Sequence, residues 1–412
     1  MSGGGAGPGV IELRPATEAE MGQLGGLGGY VYGGTFGDGP DSLVATATRP
    51  EWTLCAFDGG RLVSSFATIP FTMRMAGRPV ALGGVSAVGT RPDHRRRGLV
   101  RQLMTQATAD MRHRGQPIAA LWASQAAIYQ RYGYAIGSYQ RSYTIDGADI
   151  AFFDGDTGSR PVEMVEPDGA RDALKALYIE FIAGRTGYLH RSRSLWDNGV
   201  FAPDPADGPV RVALALDGDR PVGSIVYTLR GDRVDHRARA QELRIRDLCW
   251  LDVDAYRSLW RYVAGHDLVG RVRWSTAPVD DPAPELFTEP RLLHVADEEG
   301  IWFRVVDAER ALTDRGYRTG GHATITVVGD ELTPWNEGTF AVESDGMTTE
   351  VTRVDGEGDV TVTVKALASL YTGLRPARQL RAWGLLDGDD VGVDRVDALF
   401  ATAHAPHCPD HF

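Results

Sequence analysis

Three arginines and a glycine, Arg95 to Gly98, constrain this chain more than any other short segment. They follow the apolar run Val85–Thr90 and precede a segment whose apolar residues recur at helical gaps: Val100, Met104, Ala107 and Met111. The start of a helix has unpaired N–H groups and about half a positive charge. A strand, a turn and a helix are therefore predicted, with a binding site for a pyrophosphate at the turn, which we call the arginine–glycine seat. The alternative is a solvated basic cluster that binds no ligand.

The spacing of this turn is similar to a known signature. An arginine three residues before a glycine, between a strand and a helix, resembles the Arg/Gln-x-x-Gly-x-Gly/Ala motif of the GNAT superfamily of N-acetyltransferases. In that superfamily the loop holds the pyrophosphate of acetyl-CoA, and the preceding strand pairs with the pantetheine arm. Val100 departs from the motif, which has a small residue there.

Length and charge narrow the class of protein. A chain of 412 residues is expected to form two or three domains, and its 43% hydrophobic residues suffice for sizeable cores. The net charge of −12 argues against a general nucleic-acid binder and makes the arginine cluster a local feature. An acidic surface favours cationic substrates.

The cysteines and the N-terminus indicate the compartment. Cys55, Cys249 and Cys408 are far apart and form no CxxC motif, which favours a reducing cytoplasm over a disulfide framework. The start of the sequence lacks the features of a signal peptide, and no apolar run approaches the roughly 20 residues of a membrane span. We therefore expect a cytoplasmic protein without a membrane span.

The last nine residues contain four side chains of types that can bind zinc: His404, His407, Cys408 and His411. They lie in a proline-containing tail, and no second pair of ligands accompanies them elsewhere in the sequence. We therefore expect no metal in this protein.

Three segments are predicted. Residues 1–150 alternate strands and helices, including a hairpin around Asp58-Gly59-Gly60, and are predicted to form an α/β domain. Residues 151–306 repeat part of that order, with a strand Leu243–Leu251 and a helix Ala255–Ala264, but have no arginine–glycine turn. They are interpreted as a degenerate second copy. Residues 307–412 read as a β-meander followed by helices, an α+β layer.

Acetyl transfer to an amine sets chemical requirements that the sequence can meet. The amine must lose a proton, since an ammonium has a pKa of about 10.4. The carbonyl oxygen needs N–H donors, which the backbone of Val88, Gly89 and Thr90 can supply. The departing thiolate benefits from a proton, for which Tyr129 is the candidate. The alternative for Tyr129 is a half-buried packing role.

The whole chain resembles one family, the Eis (enhanced intracellular survival) N-acetyltransferases of actinobacteria. The matching blocks, in order, are Pro92–Arg101, Leu121–Ser124, Ile128–Tyr134, Ile301–Asp307, Leu312–Tyr317, Leu367–Leu374 and the final Phe412. Several blocks in the right order are far more specific than any single motif.

The resemblance implies a fold, an activity and an assembly. It implies tandem GNAT folds followed by a sterol-carrier-protein-like α+β domain, assembled as a homohexamer. It also implies acetylation of aminoglycosides, and of lysine side chains, by acetyl-CoA. Tyr129 would be the general acid and the terminal carboxylate of Phe412 the general base. The positions that match the CoA-binding residues are Val88, Gly89, Thr90, Arg96, Arg97, Gly98, Leu99, Val100, Arg101, Ser124 and Gln125.

The assignments of the general base and of the substrate pocket each have an alternative interpretation. An α-carboxyl has a pKa of about 3.3–3.7, which desolvation would raise, but most chain ends are frayed. Asp38 and Asp41, with Tyr30, Tyr32 and Phe36 nearby, can bind a polycationic sugar, although a mobile glycine-rich loop fits the segment equally well. The other histidines, His94, His190, His266 and His294, show no catalytic spacing.

Three functional hypotheses follow. The first is an acetyl-CoA-dependent N-acetyltransferase acting on aminoglycosides or similar polyamines. The second is an acetyltransferase of protein lysines or cellular small amines. The third is a non-catalytic protein that binds a lipid or a partner through its C-terminal domain, which would leave the arginine turn unexplained.

Overall fold

The computed structural model describes residues 10–34, 48–231, 233–235 and 238–412. Its first part contains the following elements: β1 (Ile11–Arg14), α1 (Met21–Tyr32), β2 (Cys55–Asp58), β3 (Arg61–Met75), β4 (Arg78–Thr90), α2 (Leu99–His113), β5 (Ile118–Leu121), α3 (Ala126–Gln130) and β6 (Ala135–Ile136). The β2–β3 hairpin and the helix after the arginine turn are both where the sequence pattern predicts them.

The middle of the chain has a similar order of elements: β7 (Tyr139–Ile145), β8 (Val162–Val165), α4 (Pro167–Phe181), α5 (Arg193–Leu195), β9 (Val210–Asp217), β10 (Arg220–Arg230), β11 (Gln241–Trp250), α6 (Val253–Ala264), β12 (Val269–Ala277), α7 (Ala283–Leu286), β13 (Ala296–Glu299) and β14 (Trp302–Val305). Among the described residues, no helix combines the length and the apolar character needed to cross a membrane.

Two seven-stranded sheets share one topology. The first has the order β1-β2-β3-β4-β5-β14-β6 and the second β8-β9-β10-β11-β12-β7-β13. Each has a parallel pair, β4 with β5 and β11 with β12, joined by a crossover helix, α2 or α6. The middle segment is thus a second copy of the first fold, as its order of elements indicates.

The two sheets exchange a strand. β14 comes from the end of the middle segment but pairs with β5 and β6, with Phe303 opposite Ala120. β7 follows β6 in the chain but pairs with β12 and β13. The exchange ties the two copies together, while the boundaries at residues 150 and 306 stay predictions.

The last part forms a third sheet with helices packed against it, the α+β architecture expected for this segment. Its elements are α8 (Ala308–Asp314), β15 (Gly321–Val328), β16 (Gly338–Ser344), β17 (Thr349–Val354), β18 (Val360–Thr363), α9 (Val364–Tyr371), α10 (Ala377–Ala382), β19 (Leu386–Gly388) and α11 (Asp390–Phe400). The strand order is β17-β16-β15-β18-β19, so the predicted β-meander is wrong for its fourth strand: β18 pairs in parallel with β15 instead of antiparallel with β17. Met73 and Leu82 of the first sheet share one hydrophobic core with Ile325 and Leu367.

Candidate active site

The parallel pair β4–β5 opens into a gap. The two strands pair over Leu82–Gly84 and Ile118–Ala120. Beyond Gly84, residues 85–90 stay hydrogen-bonded to β3, while on the side of β5 the described residues place no partner strand. Backbone N–H and C=O groups along such an edge can pair with an extended chain of amides, as an added strand would.

A bulge in β4 shapes this edge. The pairing with β3 shifts between Ser65–Gly89 and Ala67–Ser86, and Ala87 has a φ of +51°. Three hydroxyl groups donate to the carbonyls of the bulge: Ser65 Oγ to Ala87 (2.6 Å), Tyr32 Oη to Val88 (2.8 Å) and Ser64 Oγ to Gly89 (2.8 Å). Because these carbonyls are held, the backbone of Val88, Gly89 and Thr90 is already oriented before a ligand arrives.

The arginine turn leaves the start of α2 open. Gly98 has a φ of +76° and precedes Leu99, and no side chain caps the helix. The position where a Cβ of Gly98 would lie has no atom within 4 Å, so a ligand can approach the backbone. Arg95, Arg96 and Arg97 are exposed, and none pairs with a carboxylate among the described residues. Three uncompensated cations therefore surround a free helix start.

The other predicted ligand-binding residues occupy different environments. Leu99 is buried with Ala56 and Val63, so only its backbone can face a ligand. Val100 is half-buried, and Arg101 is exposed at 3.6 Å from Glu331. Ser124 and Gln125 are exposed just before α3.

Tyr129 lies on α3 and borders a cavity. Its side chain is 4% exposed and its ring packs edge-on to Tyr134 at 6.1 Å. Burial raises its pKa well above the ordinary value, the phenol of Tyr32 adds to the rise, and a hydrogen bond with Ser124 opposes it. The phenol therefore stays protonated near neutral pH and can donate a proton.

The central cavity, of about 590 Å³, lies between the first sheet, α1 and the segment 192–199. Tyr129 and the end of the chain line it, together with aromatic side chains that include Tyr32, Trp52, Phe71 and Trp122. Of the predicted substrate residues, Tyr32 is in the lining and Tyr30 is exposed outside it. Phe36, Asp38 and Asp41 lie outside the described residues.

The end of the chain is an ordered part of this cavity. Phe412 packs against Phe71 with ring centroids 4.9 Å apart, and His411 stacks on Trp122 at 3.9 Å. Trp122 Nε1 donates to the carbonyl of Asp410 at 3.0 Å. Within the described part of the chain, the terminal carboxylate accepts no hydrogen bond and pairs with no cation. It is free to act on a ligand in the cavity.

A buried arginine from the middle segment holds this tail. Arg191 donates from Nε to Asp410 at 2.7 Å and from its two terminal nitrogens to Asp247 at 2.9 and 2.8 Å. The side chains of Arg191, Asp410 and Asp247 are only 2%, 5% and 7% exposed. Sequence reasoning missed this anchor, because Arg191 and Asp410 are 219 residues apart and neither lies in a motif.

The histidines and the cysteine of the tail do not come together. The ring of His407 is buried, 3.0 Å from the carbonyl of Thr276 and 3.4 Å from that of Tyr139. Burial lowers its pKa to about 4, although both carbonyls oppose the shift. Cys408 is buried, and His404 contacts Asp280. Over the described ranges, no three such side chains are arranged to hold a metal ion.

In the second copy, the chain itself covers the equivalent helix start. Asp252 accepts a hydrogen bond from the N–H of Ala255 and caps α6. Asp254 accepts two from Ser159, at 2.7 Å each. Arg160 lies 3.1 Å from Asp252 and 3.4 Å from Asp254. The chain's own Asp252 caps this helix start and no glycine turn with free arginines precedes it, so the arginine–glycine seat is confined to the first copy.

Comparison with known proteins agrees with this architecture. Residues 12–137 and 187–305 each match the acetyltransferase (GNAT) domain, and residues 308–409 match the sterol carrier protein domain. The N-acetyltransferase Eis of Mycobacterium tuberculosis is 32% identical over 328 residues, which cover 77% of this chain and 78% of that protein. This chain belongs to the Eis family of N-acetyltransferases. As a member, it is a GNAT-type acetyltransferase.

More distant relatives match along nearly the full length. An uncharacterized N-acetyltransferase of Streptomyces avermitilis is 28% identical over 98% of this chain and 99% of its own. The crystal structure of Eis1 from Mycobacterium abscessus superposes with a TM-score of 0.81 at 27% identity, covering 97% of this chain and all of that one. A GCN5-related N-acetyltransferase from Anabaena variabilis gives 0.85 at 25% identity, over 98% of this chain and all of that one.

Proposed function

We propose that this Eis-family protein transfers the acetyl group of acetyl-CoA to an amine bound in the central cavity. The observation that carries the proposal is the meeting of Tyr129 and the terminal carboxylate at one cavity, beside the open edge of β4. A phenol that holds its proton and a carboxylate without a counter-ion are the acid and the base that acetyl transfer needs.

The donor is proposed to lie along β4. The gap beyond Gly84 accommodates the amide groups of the pantetheine arm, which pair with the backbone of Val88, Gly89 and Thr90. The start of α2, with Arg96 and Arg97, receives the diphosphate; the backbone of Gly98, Leu99 and Val100 and the side chain of Arg101 line the same seat. Ser124 and Gln125 lie at the opposite wall of the gap.

The chemistry then proceeds through two proton transfers. The amine reacts in its neutral form, after one proton has gone to solvent; its lone pair attacks the thioester carbonyl carbon, and the carboxylate of Phe412 accepts a second proton from the nitrogen. N–H groups of the β4 edge stabilise the oxyanion. The carbon–sulfur bond breaks as the amide forms, and Tyr129 gives its proton to the departing sulfur. The products are the acetylated amine and CoA thiol, and the proton held by the carboxylate returns to the phenolate through solvent.

Three classes of amine are candidate substrates. Membership of the family suggests aminoglycosides and similar polyamines, with protein lysines as the alternative. The lining observed here favours the third, a small amine with an apolar or aromatic body. Its described walls contain Trp52, Phe71 and Trp122, and their charged side chains are Arg49 and Arg193 rather than carboxylates.

The assembly and the location of the protein are also proposals. We propose a cytoplasmic homohexamer, by analogy with the family. Light scattering of the purified chain measures its mass in solution, and a monomer or dimer would contradict the hexamer.

The activity is tested by incubating the purified chain with acetyl-CoA and a panel of amines that includes kanamycin, a lysine peptide and arylalkylamines, and measuring free thiol. We expect Tyr129→Phe to lower kcat by about 10²- to 10⁴-fold, because the general acid is lost. Binding of CoA, measured by calorimetry, should be unchanged. Tyr132→Phe is the matched control, since this half-buried tyrosine lies nearby on the same turn.

Two glycines added after Phe412 test the base. The added residues move the terminal carboxylate away from Phe412, which lines the cavity, so we expect a similar loss of kcat with normal CoA binding. Full activity of this extended chain would show that the terminal carboxylate is not the base. No thiol release with any amine of the panel would overturn the proposed activity itself.

A further inference from the structure

A second hollow, of about 410 Å³, opens where β11 ends. It lies between the last turn of α4 and the first turn of α6. Its walls include Phe181, Arg185, Trp250, Asp252 and His404. We call it the Arg185 hollow; the proposed acetyl transfer does not use it.

Arg185 is a buried cation at the wall of this hollow. It is 7% exposed, its Nε donates to the carbonyl of Phe181 at 3.2 Å, and its guanidinium lies 4.0 Å from the ring centre of Phe181 and 5.4 Å from that of Trp250. Among the described residues, no carboxylate forms an ion pair with it and no protein atom accepts a hydrogen bond from its two terminal nitrogens. A buried charge is normally paired, so this one is available to a ligand.

The carboxylates around the hollow are already engaged. Glu180 pairs with Arg220 at 2.5 Å, and Asp252 pairs with Arg160 and caps α6. Asp280 accepts from the N–H of Ala405 at 3.1 Å and contacts His404. Burial acts to raise the pKa of Asp280, but the hydrogen bond from His404 and the charge of Arg185 both lower it, although Arg185 makes no hydrogen bond to that carboxylate. Each of these carboxylates thus has a donor of its own, and Arg185 lines the hollow with its two terminal nitrogens unused by the described residues.

We infer that the Arg185 hollow binds a small molecule that carries a carboxylate or a phosphate on a flat apolar body. A guanidinium receives both oxyanions through two parallel N–H···O bonds, and this geometry gives specificity as well as strength. The rings of Trp250 and Phe181 supply apolar surface for the rest of the ligand. The site belongs to the copy that lacks the arginine–glycine seat, and it is separate from the acetyl-transfer site.

Calorimetry on the full chain, without acetyl-CoA, tests the inference with four probes: benzoate, phenyl phosphate, inorganic phosphate and benzyl alcohol. We expect one molecule of benzoate or phenyl phosphate to bind per chain, and benzyl alcohol to bind at least about tenfold more weakly because it lacks the anion. Tighter binding of benzoate would identify a carboxylate site, and tighter binding of phenyl phosphate a phosphate site. Inorganic phosphate shows how much the anion contributes alone.

Variants assign the binding to this hollow. Arg185→Met should weaken binding of the aromatic anion by about tenfold or more. Arg185→Lys keeps the charge and should retain part of the affinity. Arg193→Met, at the central cavity, should leave the affinity unchanged. Thiol release with acetyl-CoA should be unchanged in Arg185→Met, which shows that the variant is folded; if it is not folded, Arg185→Lys is compared instead. Equal affinity in wild type and the Arg185 variant, or no binding of either aromatic anion up to about 10 mM, would overturn the inference.

Discussion

The two GNAT copies have the same strand order but different surroundings at the helix that follows the central strand. In the first copy the start of α2 is open and exposed arginines surround it. In the second, Asp252 and Asp254 bind the start of α6 to the chain's own Ser159 and Arg160. The same backbone thus leaves an open helix start with exposed arginines in one copy and forms a closed structural joint in the other. The difference lies in a few polar residues rather than in the fold.

The second copy nevertheless contributes to the site of the first. Its Arg191 and Asp247 hold Asp410, two residues before the chain end, and its Thr276 carbonyl contacts His407. The first copy alone would contain Tyr129 without an ordered carboxylate beside it. The comparison is therefore between a copy that we propose binds acetyl-CoA and reacts, and a copy that holds the end of the chain in place; three experiments test this division.

The largest effect is expected from Arg191→Met. The change leaves two buried carboxylates without their cation, and we expect the free energy of unfolding to fall by about 3–5 kcal/mol. In protein that remains folded, kcat should fall while the KM for acetyl-CoA stays constant, because the tail that carries the base is released. Urea denaturation and steady-state kinetics measure the two effects.

Two further variants control this experiment. Arg193→Met removes an exposed arginine two residues away and should change stability by less than about 0.5 kcal/mol. Adding Asp247→Asn to Arg191→Met should recover part of the stability, because one uncompensated charge is removed. A loss below about 1 kcal/mol for Arg191→Met would mean that the middle copy does not anchor the tail.

A smaller effect concerns pH. His407 has a pKa of about 4 in the folded chain, against 6.5 when unfolded, so the unfolded chain binds more protons between these values. The contribution of this pKa difference to the free energy of unfolding is fully present above pH 6.5 and is lost as the pH falls towards 4. We expect wild type to lose about 3 kcal/mol more than His407→Gln between pH 7 and pH 4, measured by urea denaturation. His113→Gln, at an exposed position, should behave like wild type.

The smallest effect separates the two helix starts directly. Arg96→Ala combined with Arg97→Ala should raise the KM for acetyl-CoA by about 10- to 100-fold, because charge-assisted contacts to the diphosphate are lost. The effect should shrink at high salt, since these arginines are exposed. Arg160→Ala, at the start of α6, should leave this KM unchanged. Equal increases from both changes would abolish the distinction between the copies.

Much of the fold could be predicted from local patterns. The β2–β3 hairpin, α2 and the β11–α6 unit all lie within a few residues of the predicted positions, because apolar periodicity and glycine turns act over short stretches. The exchange of β7 and β14 could not be predicted. Phe303 pairs with Ala120, and no local pattern specifies a partner so far along the chain.

The candidate site, too, could be predicted only where it depends on short motifs. The arginine turn and Tyr129 are visible as short motifs, and both the turn and the tyrosine lie beside the open edge of β4. The substrate pocket was less predictable: the described lining of the central cavity is aromatic with two arginines, and the sequence left acidic ligands and a mobile glycine-rich loop as equal alternatives nearby. The acidic residues proposed for it, Asp38 and Asp41, lie outside the described residues.

The sequence by itself determined the family and the order of the elements, and it predicted the anion site at Arg95–Gly98, because each depends on residues that are neighbours along the chain. Only the tertiary structure decided which helix start stays open and which cavity the last residues of the chain line. Those outcomes depend on buried ion pairs such as Arg191–Asp410, whose partners are 219 residues apart and meet only when the sheets pack. Burying a charge costs desolvation energy in the folded protein, so the tertiary packing determines which partner offsets that cost.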